Sequence, residues 1–214
     1  MAIVRHFGKP TLFITMTTNP NWLEIKEGLS LGQYPQDRPD LVARVFKLKK
    51  DQLLNDIIKG SIFGTIVAYL WVIEFQKRGL PHIHILIILS KEHAPETAND
   101  IDEIICAELP PDPLEPEITA EKSMNRKPLW DAVTSHMIHG PCGILNHKCV
   151  CMEGGKCTKR FPKPLIDKTS VDESNSHPIY RRRSPQDRGR TFQKNQHVID
   201  NSWVVPYNPY LTTR

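Results

Sequence analysis

Two histidines separated by one residue are the most chemically informative pattern in this chain. His82 and His84 lie in the run HIHILIIL, whose isoleucine and leucine residues predict a β-strand. Because side chains alternate along a strand, both imidazoles are predicted to lie on one face, with their Cβ atoms about 7 Å apart. Two such imidazoles can bind one divalent cation. A His-x-His pair is also typical of histidines that pack in a core or lie on a surface.

A carboxylate on the preceding segment strengthens the metal interpretation. Residues 63–76 (FGTIVAYLWVIEFQ) predict one long strand, and the turn sequence KRGLP joins it to the histidine strand as an antiparallel hairpin. Glu74 and Gln76 lie near the end of this strand, so we expect them across from the two histidines. Carboxylate oxygen and imidazole nitrogen together suit Mg²⁺ or Mn²⁺, with open positions for phosphate oxygens. The alternative for Glu74 is an exposed strand carboxylate that binds nothing.

A second group of potential ligands lies further along the chain. Five potential ligands crowd into nineteen residues, namely His139, Cys142, Cys149, Cys151 and Cys157. Four thiolate or imidazole ligands at such short spacing can form a closed tetrahedral zinc site. The spacing is not a clean pair of CxxC motifs, so unligated thiols remain an alternative. The fifth cysteine, Cys106, lies in the apolar stretch IDEIICAEL and is predicted to be a core residue.

The elements that must position these residues predict an α+β fold. The period of the apolar residues indicates a central antiparallel sheet with flanking helices, followed by an irregular Cys-rich portion. We expect a core domain over residues 1–140, and a basic, Cys-rich extension of the same domain over residues 141–214. The predicted strands cover residues 10–19, 63–76 and 82–89, and the predicted helices cover residues 39–59, 100–108 and 129–139.

The composition restricts the function classes. With 39% hydrophobic and 24% charged residues, the 214-residue chain is typical of a globular protein. No segment reaches the roughly 20 apolar residues that cross a bilayer, and the N-terminus lacks the apolar core of a signal peptide. We therefore expect an intracellular protein that does not enter a membrane. A formal net charge of +4 is compatible with a nucleic-acid partner without requiring one.

Basic residues form a possible DNA-binding set. Arg181, Arg182 and Arg183 are consecutive, and the turn of the predicted hairpin contains Lys77 and Arg78. Such residues suit a phosphate backbone, although a run of charges is also typical of a solvated face. Further basic residues flank the arginine run, namely Lys159, Arg160 and Lys163 before it, and Arg188 and Arg190 after it.

Several segments resemble one family. The run EFQKRGLPHIHIL, residues 74–86, closely resembles the HUH motif of Helitron replication initiators, in which His-hydrophobic-His holds the catalytic metal. FITMTTNPNW at residues 13–22 and WVVPYNPYL at residues 203–211 are similar to further motifs of this family. DRPDLVARVFKLK, HGPCG, GKCTKRFPK and the YRRR run also fit its pattern, in the same order. The chain thus resembles the Helitron helicase-like N-terminal domain over nearly its whole length.

This resemblance implies a function and a set of ligands. It implies a metal-dependent nuclease of a rolling-circle transposase that nicks single-stranded DNA and transfers strands, acts in the nucleus, and is followed by a helicase domain that this sequence lacks. It implies that His82 and His84 bind the metal, with Glu74, eight residues before His82, as the third ligand and Gln76 as its substitute. It also favours zinc ligation by Cys142, Cys151 and Cys157, with His139 as the fourth ligand and Cys149 or His136 in reserve.

The tyrosines depart from the family pattern. Members carry two nucleophilic tyrosines separated by three residues on a helix that follows the VPYNPYL segment, and no tyrosine pair in this chain has that spacing. We therefore expect a fragment that forms the metal half of the site but lacks the nucleophiles, unless Tyr207 or Tyr210 replaces them. The alternative function is a catalytically inactive module that binds single-stranded DNA. A histidine-triad nucleotide hydrolase is not favoured, since the third histidine would fall at Leu86.

Overall fold

The computed structural model describes residues 2–75, 79–113, 120–171 and 177–213. The chain divides into two compact units, Met1–Pro95 and Glu96–Arg214. The predicted α+β class is confirmed, since the first unit contains a three-stranded antiparallel sheet with helices, and the second combines helices with two small two-stranded sheets. The predicted division at residue 140 into a core and a Cys-rich extension stays a prediction.

The first unit is built around a sheet in which the central strand, β3 (Pro81–Leu89), pairs antiparallel with β1 (Leu12–Thr17) on one side and β2 (Ile66–Phe75) on the other. The hairpin predicted from KRGLP is therefore present, as β2 and β3. The elements of this unit are α1 (Ala2–Phe7), β1 (Leu12–Thr17), α2 (Leu23–Glu27), α3 (Pro39–Ile58), β2 (Ile66–Phe75) and β3 (Pro81–Leu89).

The two faces of β3 differ in burial. Ile83, Ile85 and Ile87 alternate along the strand and are almost completely buried, whereas the intervening His82 and His84 are only partly buried. Helix α3 contacts β3 and buries its own apolar side chains. Because burial of each isoleucine side chain stabilises the fold by about 2 kcal/mol, the isoleucine face determines the register and directs both histidines to the opposite face.

The second unit has helices at its two ends and short strands between them. Helix α4 (Ala98–Ile104) begins at a capping box. The Thr97 hydroxyl accepts a hydrogen bond from the Asp100 amide, and the Asp100 carboxylate accepts one from the Thr97 amide. A core cluster joins Leu109, Val133 and Val204. The elements are α4 (Ala98–Ile104), α5 (Ala120–His136), β4 (Met152–Glu153), β5 (Lys156–Cys157), β6 (Phe192–Lys194), β7 (His197–Ile199) and α6 (Pro209–Thr212).

Candidate metal centres

The sheet of the first unit presents one open face that contains both histidines. Residues that lie directly opposite in an antiparallel pair share a face, and the register places Thr17 and Glu74 on either side of His82, and Thr15 and Val72 on either side of His84. All of these side chains are exposed or partly buried. We call this surface the histidine face; its members are Phe13, Thr15, Thr17, Leu70, Val72, Glu74, His82, His84 and Leu86.

Glu74 contacts the histidine that lies diagonally across from it. Its Oε2 lies 3.2 Å from His84 Nε2, although the backbone register pairs Glu74 with His82. Two ligands at a right angle on an octahedral ion with bonds near 2.1 Å are about 3 Å apart, so this separation fits a carboxylate and an imidazole on one cation. It also fits an exposed histidine–glutamate ion pair.

The two imidazoles are neighbours. The ring centroids of His82 and His84 lie 4.5 Å apart with the ring planes at 72°. Burial lowers the pKa of His82, and the nearby charge of His84 lowers it further against the opposing effect of Glu74. The pKa shift favours the neutral imidazole, which is the form that binds a metal.

Two residues of β1 that sequence reasoning missed position these rings. Thr17 Oγ1 lies 2.6 Å from His82 Nδ1, and the tautomer in which Nδ1–H donates to this hydroxyl leaves Nε2 free for a ligand. Phe13 stacks on His84 with centroids 5.5 Å apart and planes 11° apart. The alternation of FITMT predicts that Phe13 and Thr17 share a face. Only the pairing of β1 with β3 brings that face to the histidines.

His84 also has a ring nitrogen that lacks a hydrogen-bond partner among the described residues. Its Nδ1 is buried and has no hydrogen-bond partner among the described residues. An orphaned buried nitrogen costs about 1–3 kcal/mol, so His84 differs from a core histidine whose two ring nitrogens are both satisfied. Gln76, the predicted substitute ligand, lies outside the described residues, as do Lys77 and Arg78.

The second unit contains a tighter cluster. Four side chains have donor atoms that all lie within 4.8 Å of one another, namely His139, Cys142, Cys151 and Cys157. A search of the described residues for three or more potential ligands whose donor atoms lie this close together finds this group. Among the described residues, the donors of the histidine face do not meet this distance criterion, so they are less closely gathered than those of the cysteine cluster.

Short backbone elements bring the cluster together. His139 follows α5, and the β4–β5 hairpin pairs Met152 with Cys157. Cys157 Sγ lies 3.3 Å from His139 Nε2, and Cys142 is almost completely buried. Neighbouring ligands of a tetrahedral zinc ion are separated by roughly 3.5 Å, so the cluster can hold a metal.

The thiols in and beside this cluster form no disulfide bond, and neighbouring thiols shift one another's pKa. The Sγ atoms of Cys149 and Cys151 are 3.5 Å apart, far beyond the length of a disulfide bond. Burial and neighbouring thiols raise the pKa of Cys151 to about 12. Burial also acts to raise the pKa of Cys157, but hydrogen bonds from the backbone at Phe161 and Lys159 outweigh it and hold that pKa at about 7. A cation would remove the repulsion that prevents adjacent thiols from ionising together.

The arginine run is integrated into the second unit. Arg182 is 4% exposed, and its Nη1 donates to the carbonyl oxygens of Asn201 at 2.8 Å and Val204 at 2.6 Å. Arg183 Nη2 lies 2.6 Å from Glu108 Oε2, and Arg181 Nη1 lies 3.1 Å from Asp102 Oδ2. The prediction that these arginines bind DNA did not foresee such partners. Arg182 has almost no exposed surface with which to contact a phosphate.

The two C-terminal tyrosines lie in different environments. Tyr207 is 5% exposed, and its hydroxyl donates to the carbonyl oxygen of Glu108 at 2.9 Å. Burial raises its pKa well above the usual range for a phenol, as do the neighbouring Cys106 and Glu108. Tyr210, at the start of α6, is exposed. A buried phenol held in its protonated form is poorly suited to attack a phosphate, so Tyr207 is a packing residue in this structure.

Comparison with known proteins gives one match. Residues 1–87 match a family model described as the Helitron helicase-like domain at the N-terminus. This range contains β1, β2 and most of β3, and therefore every described residue of the histidine face. No curated protein matches the chain. Among the described helices, none is long and apolar enough to cross a membrane.

Proposed function

Because residues 1–87 match the model of the Helitron helicase-like N-terminal domain, we propose that this chain is the metal-dependent single-stranded DNA nicking and strand-transfer domain of a rolling-circle transposase. His82, His84 and Glu74 hold a Mg²⁺ or Mn²⁺ ion on the histidine face. The observation that carries this proposal is the 3.2 Å contact between His84 Nε2 and Glu74 Oε2, beside His82. The resemblance to the Helitron family supports action in the nucleus as part of this proposal.

Each residue has a separate role in this proposal. The ion, when bound, polarises a phosphate of single-stranded DNA. Thr17 holds His82 so that Nε2 is presented outward, and Phe13 supports the ring of His84 by stacking on it. Glu74 supplies a negatively charged carboxylate oxygen, the type of ligand that suits hard divalent ions such as Mg²⁺ and Mn²⁺. The histidine face remains open enough for a DNA strand to reach these ligands, since most of its members are exposed.

Strand cleavage of this type requires a tyrosine hydroxyl. Its attack forms a phosphotyrosine with the 5′ end and releases a free 3′ hydroxyl. Tyr207 does not take this role, because its hydroxyl is buried and already donates to a backbone carbonyl. We therefore expect the chain as given to bind metal and single-stranded DNA without forming a covalent adduct that survives SDS.

A metal titration tests the site. Mn²⁺ binding is measured by calorimetry on the whole chain and on His82→Ala/His84→Ala, with His6→Ala as the matched control, since His6 is an exposed histidine in α1. We expect the double variant to lose Mn²⁺ affinity by about 100-fold or more, and His6→Ala to bind as the unaltered chain does. Equal Mn²⁺ affinity in all three proteins would contradict the metal assignment.

The burial of Tyr207 favours a second candidate, a single-stranded DNA-binding module without chemistry. Labelled single-stranded DNA distinguishes the two functions, because the metal half of a nuclease site binds the phosphate through the ion, whereas a module without chemistry needs no ion. If the histidine face is that metal half, Mn²⁺ tightens DNA binding by the unaltered chain and has no such effect on Glu74→Gln. Equal DNA affinity with and without Mn²⁺ would favour the module without chemistry.

We further propose that His139, Cys142, Cys151 and Cys157 bind zinc. The donor set of three thiols and one imidazole matches the preference of zinc for sulfur and nitrogen in structural sites. All four donors already converge. Elemental analysis of chain purified without a chelator is expected to find one zinc ion per chain, and less in Cys142→Ser. A zinc content near zero in the unaltered chain would leave the cluster as free thiols.

A further inference from the structure

The segment around the cysteine cluster concentrates the positive charge of the protein. Residues 142–163, which we call the basic knuckle, contain five basic residues and one acidic residue, Glu153, so their formal charge is +4. The whole chain has the same formal charge of +4. The remaining residues are therefore neutral in sum. The five basic residues are Lys148, Lys156, Lys159, Arg160 and Lys163.

None of these five cations forms an ion pair among the described residues. Four of them are exposed, and Lys163 is partly buried with its Nζ 5.1 Å from the centre of the Phe161 ring. Arg181 and Arg183 differ in this respect, because Asp102 and Glu108 already neutralise them. Exposed positive charge without an ion-pair partner is therefore more abundant on the basic knuckle than on the arginine run.

Charge on the cysteine ligands does not account for this excess. A zinc ion with three thiolates and a neutral imidazole carries a net charge of −1, so the metal-bound knuckle would retain a charge of +3. Like charges held within a short segment repel one another. The excess therefore points to an anionic partner outside the chain.

Hydrogen bonds hold the backbone of residues 158–163, which carries three of these cations. The amide of Thr158 donates to the carbonyl oxygen of Cys151 at 2.8 Å, and that of Arg160 donates to the carbonyl oxygen of Cys157 at 2.9 Å. The amide of Lys163 donates to the carbonyl oxygen of Ser202 at 2.9 Å. Pre-ordered cations lose less conformational entropy on binding a strand than cations on a free loop.

Apolar side chains project from the same segment. Ile144 and Val150 are 90% and 97% exposed. Aliphatic side chains next to cations suit a strand whose bases are unstacked, since base faces are accessible in a single strand and covered in a duplex. This combination favours single-stranded nucleic acid over a double helix.

We propose that the basic knuckle is a binding surface for the backbone of single-stranded DNA, and that the four-ligand cluster maintains its shape. The proposal rests on the proposed function for the choice of DNA as the nucleic acid. It adds a contact surface in the second unit that is separate from the histidine face of the first unit.

The test uses the whole chain and a fluorescently labelled 20-nucleotide single strand of mixed sequence, with binding followed by anisotropy. The test variant is Lys156→Glu/Lys159→Glu/Arg160→Glu. The control is Lys9→Glu/Lys26→Glu/Lys91→Glu, which reverses three exposed lysines that form no ion pair among the described residues and gives the same net charge. We expect the test variant to bind at least about tenfold more weakly than the control at 0.1 M salt, and its salt slope to fall by about 2, from three phosphate contacts at roughly 0.7 each.

Three further measurements define the outcome. Unchanged zinc content in the test variant shows that the loss does not come from a disrupted cluster. An unlabelled duplex of the same length is expected to compete more weakly than the single strand. Removal of the metal with a chelator is expected to weaken binding by the unaltered chain to a similar extent as the charge reversals.

Equal losses of affinity in the test and control variants would overturn the proposal, because only overall charge would then matter. Stronger competition by the duplex would overturn the assignment of the strand. Either result leaves Mn²⁺ binding at the histidine face untouched. If the unaltered chain does not bind Mn²⁺ but the charge reversals in the basic knuckle still weaken DNA binding, the proposed nuclease function is contradicted instead.

Discussion

At the scale of single residues, hydrogen-bond partners separate residues that can act on a ligand from residues that hold the fold. His82 has an exposed hydroxyl partner, Thr17, which orients its ring without burying it. Tyr207 and Arg182 donate instead to backbone carbonyl groups in the interior of the second unit. The sequence shows the same side-chain types in both situations. What distinguishes them is the partner, which for Tyr207 lies 99 positions away in the chain.

The role of Thr17 leads to a first prediction. Thr17→Val keeps the β-branched shape and removes the hydroxyl next to His82 Nδ1, so the ring is no longer held in one tautomer. We expect Mn²⁺ affinity to fall roughly tenfold, while the free energy of unfolding changes by less than about 1 kcal/mol. Thr15→Val is the matched control, because Thr15 lies opposite His84 on the same face and has no side-chain hydrogen bond given by the structure. Similar affinities in the two variants would show that the Thr17 hydroxyl does not position a ligand.

Tyr207 supports a second prediction. Tyr207→Phe removes the hydrogen bond to the buried carbonyl group of Glu108, so the free energy of unfolding should fall by about 1–2 kcal/mol in urea titrations. Tyr210→Phe, at an exposed position, should change it by less than about 0.5 kcal/mol. Neither variant should alter the products formed on labelled single-stranded DNA. An SDS-stable DNA adduct of the unaltered chain that Tyr207→Phe abolishes would identify this tyrosine as the nucleophile after all.

At the scale of elements, the hairpin was predictable and the third strand was not. A short connection between β2 and β3 favours their pairing as a hairpin, so a carboxylate near His82 and His84 could be inferred from spacing alone. The position of β1 depends on long-range burial. Its pairing with β3 is what brings Phe13 and Thr17 to the histidines. The β4–β5 hairpin has two residues per strand, too few for any periodicity, so Cys157 in it and Cys151 beside it could be recognised only as members of a cluster.

The isoleucine face of β3 gives an element-scale prediction. Ile85 is 1% exposed, and Ile85→Ala leaves a cavity behind the strand that presents both histidines. We expect a loss of about 3 kcal/mol in the free energy of unfolding and a weaker affinity for Mn²⁺, because the strand that carries both imidazoles is less firmly held. Val72→Ala, on the exposed side of the same sheet, should cost less than about 1 kcal/mol. If the Ile85 variant unfolds at the same urea concentration as the unaltered chain, the isoleucine face is not the main core of the first unit.

At the scale of the whole molecule, the chain contains two units whose stability depends on different interactions. The first unit has a continuous sheet and a 20-residue helix, α3, with apolar residues that pack without a metal. In the second unit, the core cluster of Cys142, Ile199 and Trp203 packs against three further cysteines, Cys149, Cys151 and Cys157. Short strands bury little apolar surface, so a bound ion there contributes directly to folding.

This difference leads to the last prediction, which compares metal removal in the two units by hydrogen exchange. When a chelator removes zinc, amides around the β4–β5 hairpin and β7 should exchange at least about tenfold faster, because ligand repulsion is no longer offset and the loops open locally. Amides of β3 should keep their protection, since the isoleucine core of the first unit needs no cation. The control is Cys106→Ser, which alters a cysteine outside the four-ligand cluster and should respond to the chelator as the unaltered chain does. Uniform loss of protection across both units would mean that they unfold as one cooperative body, and no change in either would mean that the cluster does not stabilise the fold through a metal.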